Sequence, residues 1–197
     1  MRGSYAWVAA AALAVACQPA PPAPRRAEGP TPARTLYQFK LAYNMPDAAL
    51  AEEILSRDFV RRPFPPPAGF PAGWDYGAEV AATRAMLKGA YHVVLEFVAT
   101  DEAVGNPASR ATTFVSLPLD TRLRVWRNPN YCFYVRGDVV YSLARARPGD
   151  RWKITGVEDC TTACERDVRP NAETELTTWS RVMTYYLRES KRTGGEP

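Results

Sequence analysis

Two side chains of this sequence could act as general bases, Asp58 and His92. His92 is the single histidine and lies in an alternating run, 91–99, where Glu96 occupies the same face. Four residues along a strand separate two side chains by about 13 Å, too far for a hydrogen bond. Asp58 precedes Phe59 at the exit of a predicted helix, where an Asp usually bonds to nearby backbone. We therefore regard both as catalytic candidates of low rank.

Motifs of the common hydrolases and nucleotide-binding proteins are absent from the sequence. It contains no Gly-x-Ser-x-Gly, no His-Glu-x-x-His and no phosphate-binding glycine loop. A single histidine also excludes a multi-histidine metal cage. The formal net charge is +4, with basic and acidic residues interspersed, which disfavours nucleic acid as a partner. We expect no metal and no cofactor.

The N-terminal residues have the pattern of an export signal. Arg2 precedes an apolar run, 6–16, which ends in small residues before Cys17. A run of this length cannot cross a hydrocarbon core of about 30 Å, which needs about twenty residues. The order of charged, apolar and small residues predicts a secretory signal peptide.

Leu13-Ala14-Val15-Ala16-Cys17 resembles the lipobox of bacterial lipoproteins. The resemblance implies cleavage before Cys17, acylation of its thiol and amino group by chains such as palmitate, and a stable membrane anchor. Gln18, rather than Asp, resembles the pattern of outer-membrane lipoproteins. We expect a protein of the bacterial cell envelope, on the outer membrane and facing the periplasm. An ordinary signal peptide, with a mature chain beginning near Cys17, is the alternative.

A spacer follows the cysteine. Ten of the sixteen residues at 18–33 are Pro or Ala, a composition that cannot form a core and favours an extended chain. The chain is therefore divided into a signal peptide at 1–16, the lipidated cysteine and tether at 17–33, a folded domain at 34–160 and a C-terminal extension at 161–197.

Three further cysteines allow one bridge and one free thiol in an oxidising compartment. We favour a disulfide between Cys160 and Cys164, which are close in sequence and follow a predicted strand. A bridge from Cys132 to either of them is the alternative.

Helical periodicity precedes strand periodicity along the chain. It is present at Leu36, Phe39 and Tyr43, then at 48–55 and 78–87. Alternating runs follow, which predict strands at 91–99, 110–119, 121–126, 131–135, 139–147 and 151–157, with a turn at 148–150. Helices followed by an antiparallel meander indicate the α+β class.

The final predicted element is an amphipathic helix at 172–189, capped by Asn171. Its apolar stripe includes Leu176, Trp179 and Met183, and we expect this stripe to dock on the domain.

The chain resembles the NTF2-like superfamily, which includes SnoaL-like and ketosteroid-isomerase-like proteins. The resemblance covers about 34–159 and rests on 37–60 with its aromatics, Trp74, Ala82-Thr83-Arg84, and 151–154 before Glu158-Asp159. It implies N-terminal helices packed on a curved antiparallel β-sheet, forming a cone with a pocket, and here an added C-terminal helix. Enzymes of this superfamily use buried Asp, Tyr or His side chains, and no such set aligns here.

A proline-rich segment, 63–74, interrupts the regular pattern with the aromatics Phe64, Phe70 and Trp74. Proline excludes a helix or central strand there. The favoured interpretation is a loop that folds its aromatics over one end of the cone. The alternative is a contact surface for an envelope partner.

These features predict a membrane-tethered envelope lipoprotein whose domain binds a small apolar ligand or an envelope protein without catalysis. One alternative is an isomerase or dehydratase that uses the cone pocket. The other is a structural or dimerising accessory domain, acting as a homodimer.

Overall fold

The computed structural model of the chain describes residues 31–64, 66, 74–98, 113–162 and 173–192. Helices occur first and strands mostly later, which confirms the α+β class. The elements in these ranges are α1 (Pro32–Asn44), α2 (Ala48–Ile54), β1 (Leu55–Pro63), α3 (Tyr76–Gly89), β2 (His92–Val98), β3 (Phe114–Asn128), β4 (Tyr131–Ala144), β5 (Lys153–Thr162), β6 (Glu173–Leu176) and α4 (Trp179–Arg192).

Short polar side chains begin the first three helices. Thr31 Oγ1 accepts from the N–H of Arg34 at 3.2 Å, and Pro32 follows where no N–H is needed. Asp47 caps α2 and Asp75 caps α3 through their Oδ1 atoms, at 2.9 and 3.0 Å. These local bonds explain why the helix starts agree closely with the sequence pattern.

The strands form one mixed sheet in the order β1-β5-β4-β3-β2. The sequence pattern predicts an antiparallel sheet, but β1 runs parallel to β5 and β6 runs parallel to β4. Along β4, residues 136–144 pair with β5 and residues 131–134 pair with β6. β5 and β6 therefore lie end to end on the same side of β4.

Alternate residues of the sheet point into the core. Val93, Val125 and Phe133 are neighbours across three strands on this inner face, and each is at most 5% exposed. The prediction that Val93 and Leu95 face inward is confirmed. The other face, here called the outer face, carries His92, Glu96 and several arginines.

The two central strands are longer than predicted. Residues 114–119 of the first run and the whole run 121–126 belong to the single strand β3. Pro118 is tolerated there because it lies outside the stretch of β3 that pairs with β2. The run 131–135 and residues 139–144 of the next run belong to the single strand β4. Gly137 has φ +145, which glycine adopts readily, so the strand passes this residue without turning.

The sequence pattern does not predict β1, and it places the start of the last helix too early. Residues 55–63 form the strand β1, although its burial is irregular and the sequence shows no clear alternation. Residues 173–176 form β6 rather than the first turn of a helix, and α4 begins at Trp179. Thr178 Oγ1 accepts from Arg181 N at 3.3 Å, whereas Asn171 lies outside the described residues.

Candidate functional site

Aromatic rings fill the space between the helices and the inner face of the sheet. Phe39 and Tyr43 of α1 have ring centroids 4.9 Å apart, and Trp179 of α4 lies 6.4 Å from Phe39 and 5.7 Å from Tyr43. Tyr141 of β4 approaches Phe39 edge-on at 6.2 Å. Each of these four residues is at most 1% exposed. The C-terminal helix therefore contributes a tryptophan to the centre of the domain.

Beside these rings, Arg61 of β1 and Glu79 of α3 form a buried ion pair. Arg61 Nε donates to Glu79 Oε2 at 2.8 Å and Nη2 donates to Oε1 at 2.7 Å, a bidentate geometry. Trp74 Nε1 donates to Glu79 Oε2 at 2.7 Å. Burial by itself lowers the pKa of Arg61, but the charge and hydrogen bonds of Glu79 raise it above its ordinary value. The Arg61 guanidinium is therefore charged at any physiological pH.

Asp159 of β5 connects the sheet to the start of α4. Its Oδ2 accepts from the backbone N–H of Ser180 at 2.8 Å and also from the Ser180 hydroxyl. Its Oδ1 accepts from the backbone N–H of Thr161 at 3.1 Å and from the Thr161 hydroxyl. Thr161 Oγ1 in turn accepts from the N–H of Trp179 at 3.1 Å. A carboxylate at the positive end of a helix dipole is stabilising, so Asp159 anchors α4.

The ion pair and the anchor form one group, here called the interior cluster: Arg61, Glu79, Asp159, Thr161, Ser180, Trp74 and Trp179. Arg61 Nη1 lies 3.9 Å from Asp159 Oδ2, and the guanidinium carbon lies 4.8 Å above the Trp179 ring. One guanidinium thus faces two carboxylates, and the N-terminus of α4 offsets part of the remaining negative charge.

The neighbouring phenols of Tyr43 and Tyr141 stay protonated at neutral pH. The hydroxyls of Tyr43 and Thr83 are 3.3 Å apart. Burial raises the pKa of Tyr43 and of Tyr141 well above the ordinary value of a tyrosine. Neither phenol can act as a base at neutral pH.

The interior cluster has little capacity for acid–base chemistry while α4 is docked. A carboxylate has about four acceptor positions. Asp159 accepts four hydrogen bonds, and Glu79 accepts three. Both side chains are therefore occupied by the protein itself, and their direct effect is to hold elements together.

The sequence matches no family model and no curated protein. The structure is similar to that of a putative aromatic ring hydroxylase from Novosphingobium aromaticivorans, with a TM-score of 0.52 and 11% identity, over 76% of this chain and 92% of that one. It is also similar to an NTF2-like protein of unknown function from Pseudomonas putida, with a TM-score of 0.46 and 12% identity, over 70% and 92%. The chain has the NTF2-like fold. At such low identities the likeness concerns the fold alone and carries over no activity.

The two catalytic candidates lie outside the interior of the NTF2-like domain. Asp58 is exposed on β1, and its backbone N–H donates to Ser56 Oγ at 3.3 Å. His92 is exposed on the outer face, with its ring 5.3 Å from that of Trp126. Nothing brings the two side chains together.

The aromatics of the proline-rich segment separate in the structure. Trp74 is 1% exposed and belongs to the interior cluster, whereas Phe64 is 71% exposed. Phe70 lies outside the described residues. Of the three, Phe64 is thus the one that the structure places at the surface.

The cysteine predictions depend largely on residues that the structure does not describe. Cys17 and Cys164 both lie outside the described residues. Cys132 and Cys160 are not bonded to each other, and burial raises the pKa of the Cys132 thiol to about 11. The pairing of Cys160 with Cys164 remains a prediction.

Sequence reasoning missed the residues that organise the interior. Arg61, Glu79 and Asp159 come from three elements, and each looks like a surface charge when seen singly. A signal was present in β1, since strand alternation from Phe59 places Arg61 on the same inward face. Asp159 is one of the residues on which the family resemblance rests, but no local pattern indicated its partner.

The surface of the NTF2-like domain carries a groove with charged side chains in its lining. A surface groove of about 530 Å³ lies between α2 and β1, lined by residues that include Glu52, Arg57 and Tyr76. Its groups already pair, because the Tyr76 hydroxyl donates to Glu52 at 3.0 Å and Arg57 stacks over the Tyr76 ring at 4.4 Å. Within the described ranges, no three His, Cys, Asp or Glu side chains are grouped to hold a metal, and no helix is both long and apolar enough to cross a membrane.

Proposed function

We propose that this protein is a lipid-anchored lipoprotein of the bacterial cell envelope whose NTF2-like domain binds a protein partner without catalysis. Its working parts are the outer surfaces of the domain. The anchor is Cys17, and the location is the outer membrane, facing the periplasm.

The observation that carries the binding role is the packing of the interior. Trp179, Phe39, Tyr43 and Tyr141 occupy the space where a small ligand would lie in an open cone. Displacing a buried tryptophan costs about 3–5 kcal/mol, so a weak ligand would not enter. This packing supports surface recognition over a small apolar ligand, and over an isomerase or dehydratase acting in the cone.

The N-terminal sequence supports the anchor and the spacing. The lipobox-like residues before Cys17 and the Pro/Ala-rich residues 18–31 precede a domain whose first helix begins at Pro32. An extended spacer of this kind holds a domain a few nanometres from a bilayer. A tethered domain can then reach a second envelope protein.

The anchor is tested by replacing Cys17 with Ser in the full chain. We expect the unchanged chain to incorporate labelled palmitate and to sediment with the outer membrane, and the Cys17→Ser chain to lose both properties. Continued acylation or membrane retention of the Cys17→Ser chain would contradict the anchor.

The binding role is tested by photo-crosslinking in cells. A photoreactive residue is placed at Phe64, Tyr91 or Phe114, which are 71%, 68% and 54% exposed. The matched control is Val157, which is 1% exposed. We expect a discrete heterologous protein adduct from one exposed position and none from Val157. A self-adduct would favour the homodimeric accessory domain, and the absence of protein adducts from all exposed positions would contradict the proposal.

A further inference from the structure

The exposed side of α4 carries a line of cations. Arg181, Arg188 and Arg192 are all exposed on this helix. Because an α-helix turns by about 100° per residue, the three positions lie within about 40° of one another around the helix axis. Lys191 is exposed on the flank of the line. We call these four residues the basic face.

The helix itself supplies little negative charge to oppose the basic face. Glu189 is the one acidic residue of α4, and its Oε1 lies 3.1 Å from Arg192 Nη1. Four basic residues and one acidic residue give the helix a formal charge of +3. In the part of the chain that the structure describes, neither Arg181 nor Arg188 forms an ion pair. The basic face therefore presents an excess of positive charge to its surroundings.

Two elements packed against α4 add further cations. Arg127, at the end of β3, is exposed, and its guanidinium carbon lies 4.9 Å above the Tyr185 ring. Lys88 is exposed at the end of α3, next to Gly89, where α3 approaches α4 closely. The positive region thus extends from the helix to both of its neighbours.

The carboxylates of the elements next to α4 are placed elsewhere. Glu79 of α3 and Asp159 of β5 are buried in the interior cluster. Glu173 and Glu175 belong to β6, which pairs with β4 in the sheet. None of these four residues stands on the exposed side of the helix.

The stability of the helix does not account for the whole basic face. Lys191 and Arg192 lie in the last turn, where cations interact favourably with the helix dipole. Arg181 lies in the first turn, three residues after the capping Thr178, where a cation opposes the dipole. Arg188 and Arg192 are four residues apart, a spacing at which like charges repel. An anionic surface outside the protein would relieve both of these unfavourable interactions.

We infer that the basic face docks on an anionic bilayer, so that the anchored domain lies with α4 against the lipid headgroups. This inference rests on the lipid anchor of the proposed function and adds a second contact with the membrane. Each Lys or Arg close to an anionic surface strengthens the association about fivefold. Because the acyl chains keep the bilayer within reach, such moderate attraction is enough to orient the domain.

A bilayer fits the basic face better than an acidic protein does. The energetic centres of protein interfaces are well-packed, desolvated pockets. The basic face is instead the convex side of a helix, and the Arg192 side chain is 78% exposed. Lipid headgroups move laterally and can gather around cations spread over about 16 Å of helix. Residues 18–31 span up to about 40 Å when extended, which lets the α4 side turn toward the bilayer.

The test is photo-crosslinking of the acylated chain to lipid. A photoreactive residue is placed at Thr184, which is half-buried beside the basic face, and the chain is reconstituted in vesicles. One set of vesicles is phosphatidylcholine, and the other also contains phosphatidylglycerol. We expect lipid adducts with phosphatidylglycerol, about tenfold fewer without it, and a similar loss in about 1 M NaCl, where the Debye length is about 3 Å. Phe114, at the other end of β3 from Arg127, is the control position and should not respond to the lipid composition.

Paired charge variants identify the cations responsible. Replacing both arginines, Arg181→Gln with Arg188→Gln, should lower the adduct yield at least tenfold. Arg181→Lys with Arg188→Lys keeps the charge and should retain most of the yield. The matched control is Arg34→Gln with Arg147→Gln, which removes the same charge at exposed positions outside α4 and should leave the yield unchanged.

Three results would overturn the inference: equal adduct yields in the two kinds of vesicle, equal losses for the α4 pair and the Arg34/Arg147 pair, or protein adducts in place of lipid adducts from position 184 in cells. Failure of the anchor is a different result, because the chain would then not sediment with phosphatidylcholine vesicles. A chain that sediments with both kinds of vesicle and gives equal adducts in both has the anchor without the docking.

Discussion

The carboxylate of Asp159 holds the beginning of α4 through Ser180. One oxygen accepts both the backbone N–H of Ser180, at 2.8 Å, and the Ser180 hydroxyl. The other oxygen binds Thr161, whose hydroxyl accepts from the N–H of Trp179. A single β5 residue thus determines where the C-terminal helix starts and keeps Trp179 inside the domain.

Asp159→Asn is expected to lower the free energy of unfolding by about 3 kcal/mol, because it removes the charge that faces Arg61 and the helix start. Amide exchange should accelerate throughout α4. Denaturant unfolding and hydrogen exchange measure the two effects. Asp138→Asn, at an exposed position of β4, is the control and should change stability by less than about 0.5 kcal/mol. Equal effects of the two variants would refute the anchor.

Trp179→Ala is expected to lower the free energy of unfolding by about 3–5 kcal/mol, because it leaves a cavity among Phe39, Tyr43 and Arg61. Indole should refill this cavity and raise the melting temperature of the variant but not that of the unchanged chain. Trp126→Ala, on the outer face, should show a smaller loss and no rescue. A variant that retains full stability would show that Trp179 does not fill the interior.

Gly89 approaches α4 closely at the end of α3. A Cβ at this position would lie 3.3 Å from the Tyr186 ring, whereas a Cβ at Gly77 would meet nothing nearer than 3.5 Å. We expect Gly77→Ala to stabilise the fold by about 0.5–1 kcal/mol and Gly89→Ala to be less stable than Gly77→Ala by about 1 kcal/mol. Thermal unfolding of the two variants gives the comparison. Equal stabilisation would show that α4 does not pack tightly against α3.

Asn44 protects the edge of the sheet at β2. Its Nδ2 donates to the carbonyl of Leu95 at 3.2 Å, and its Oδ1 accepts from the Leu95 N–H at 2.6 Å. We expect Asn44→Ala to lower the free energy of unfolding by about 1–2 kcal/mol and to promote self-association through the exposed edge of β2. Sedimentation across a concentration series detects the association. Asn128→Ala, which removes a bond at an exposed turn, should remain unchanged in sedimentation.

Alkaline pH should unfold the domain through its buried phenols. Burial raises the pKa of Tyr43 and Tyr141 well above 10 and that of Tyr186 to about 12. The pKa of each buried phenol is higher in the folded state than in the unfolded chain. The stabilisation that depends on these neutral phenols is therefore complete below about pH 10 and is lost as the pH rises toward the folded-state pKa values. Each pKa unit between the folded and unfolded states corresponds to about 1.4 kcal/mol of free energy of unfolding, so Tyr186 alone accounts for about 2–3 kcal/mol.

Absorbance of phenolate and circular dichroism, recorded in one titration, measure this effect. Part of the phenolate signal should appear only together with the loss of secondary structure above pH 10. Complete ionisation of every tyrosine before unfolding begins would contradict the burial of these rings.

Local sequence features predicted much of the fold. Asp47 begins α2, alternation directs Val93 and Leu95 inward, and helices before strands indicate the α+β class. These features depend on residues only a few positions apart, for which spacing alone determines which side chains share a face. The predicted strand breaks near Pro118 and Gly137 are wrong. Whether a strand can continue through a proline or a glycine depends on the strands that pair with it, which the local sequence does not show.

The sequence by itself determined the fold class, the start of α2 and the inward face of the sheet, since periodicity and capping act within a few residues. Only the tertiary structure decided that Arg61 pairs with Glu79 and that Asp159 anchors Ser180, pairs separated by 18 and 21 positions. Such contacts depend on strand register and helix docking, which follow from the packing of the whole core. A charge that looks exposed in the sequence can therefore lie at the centre of the domain.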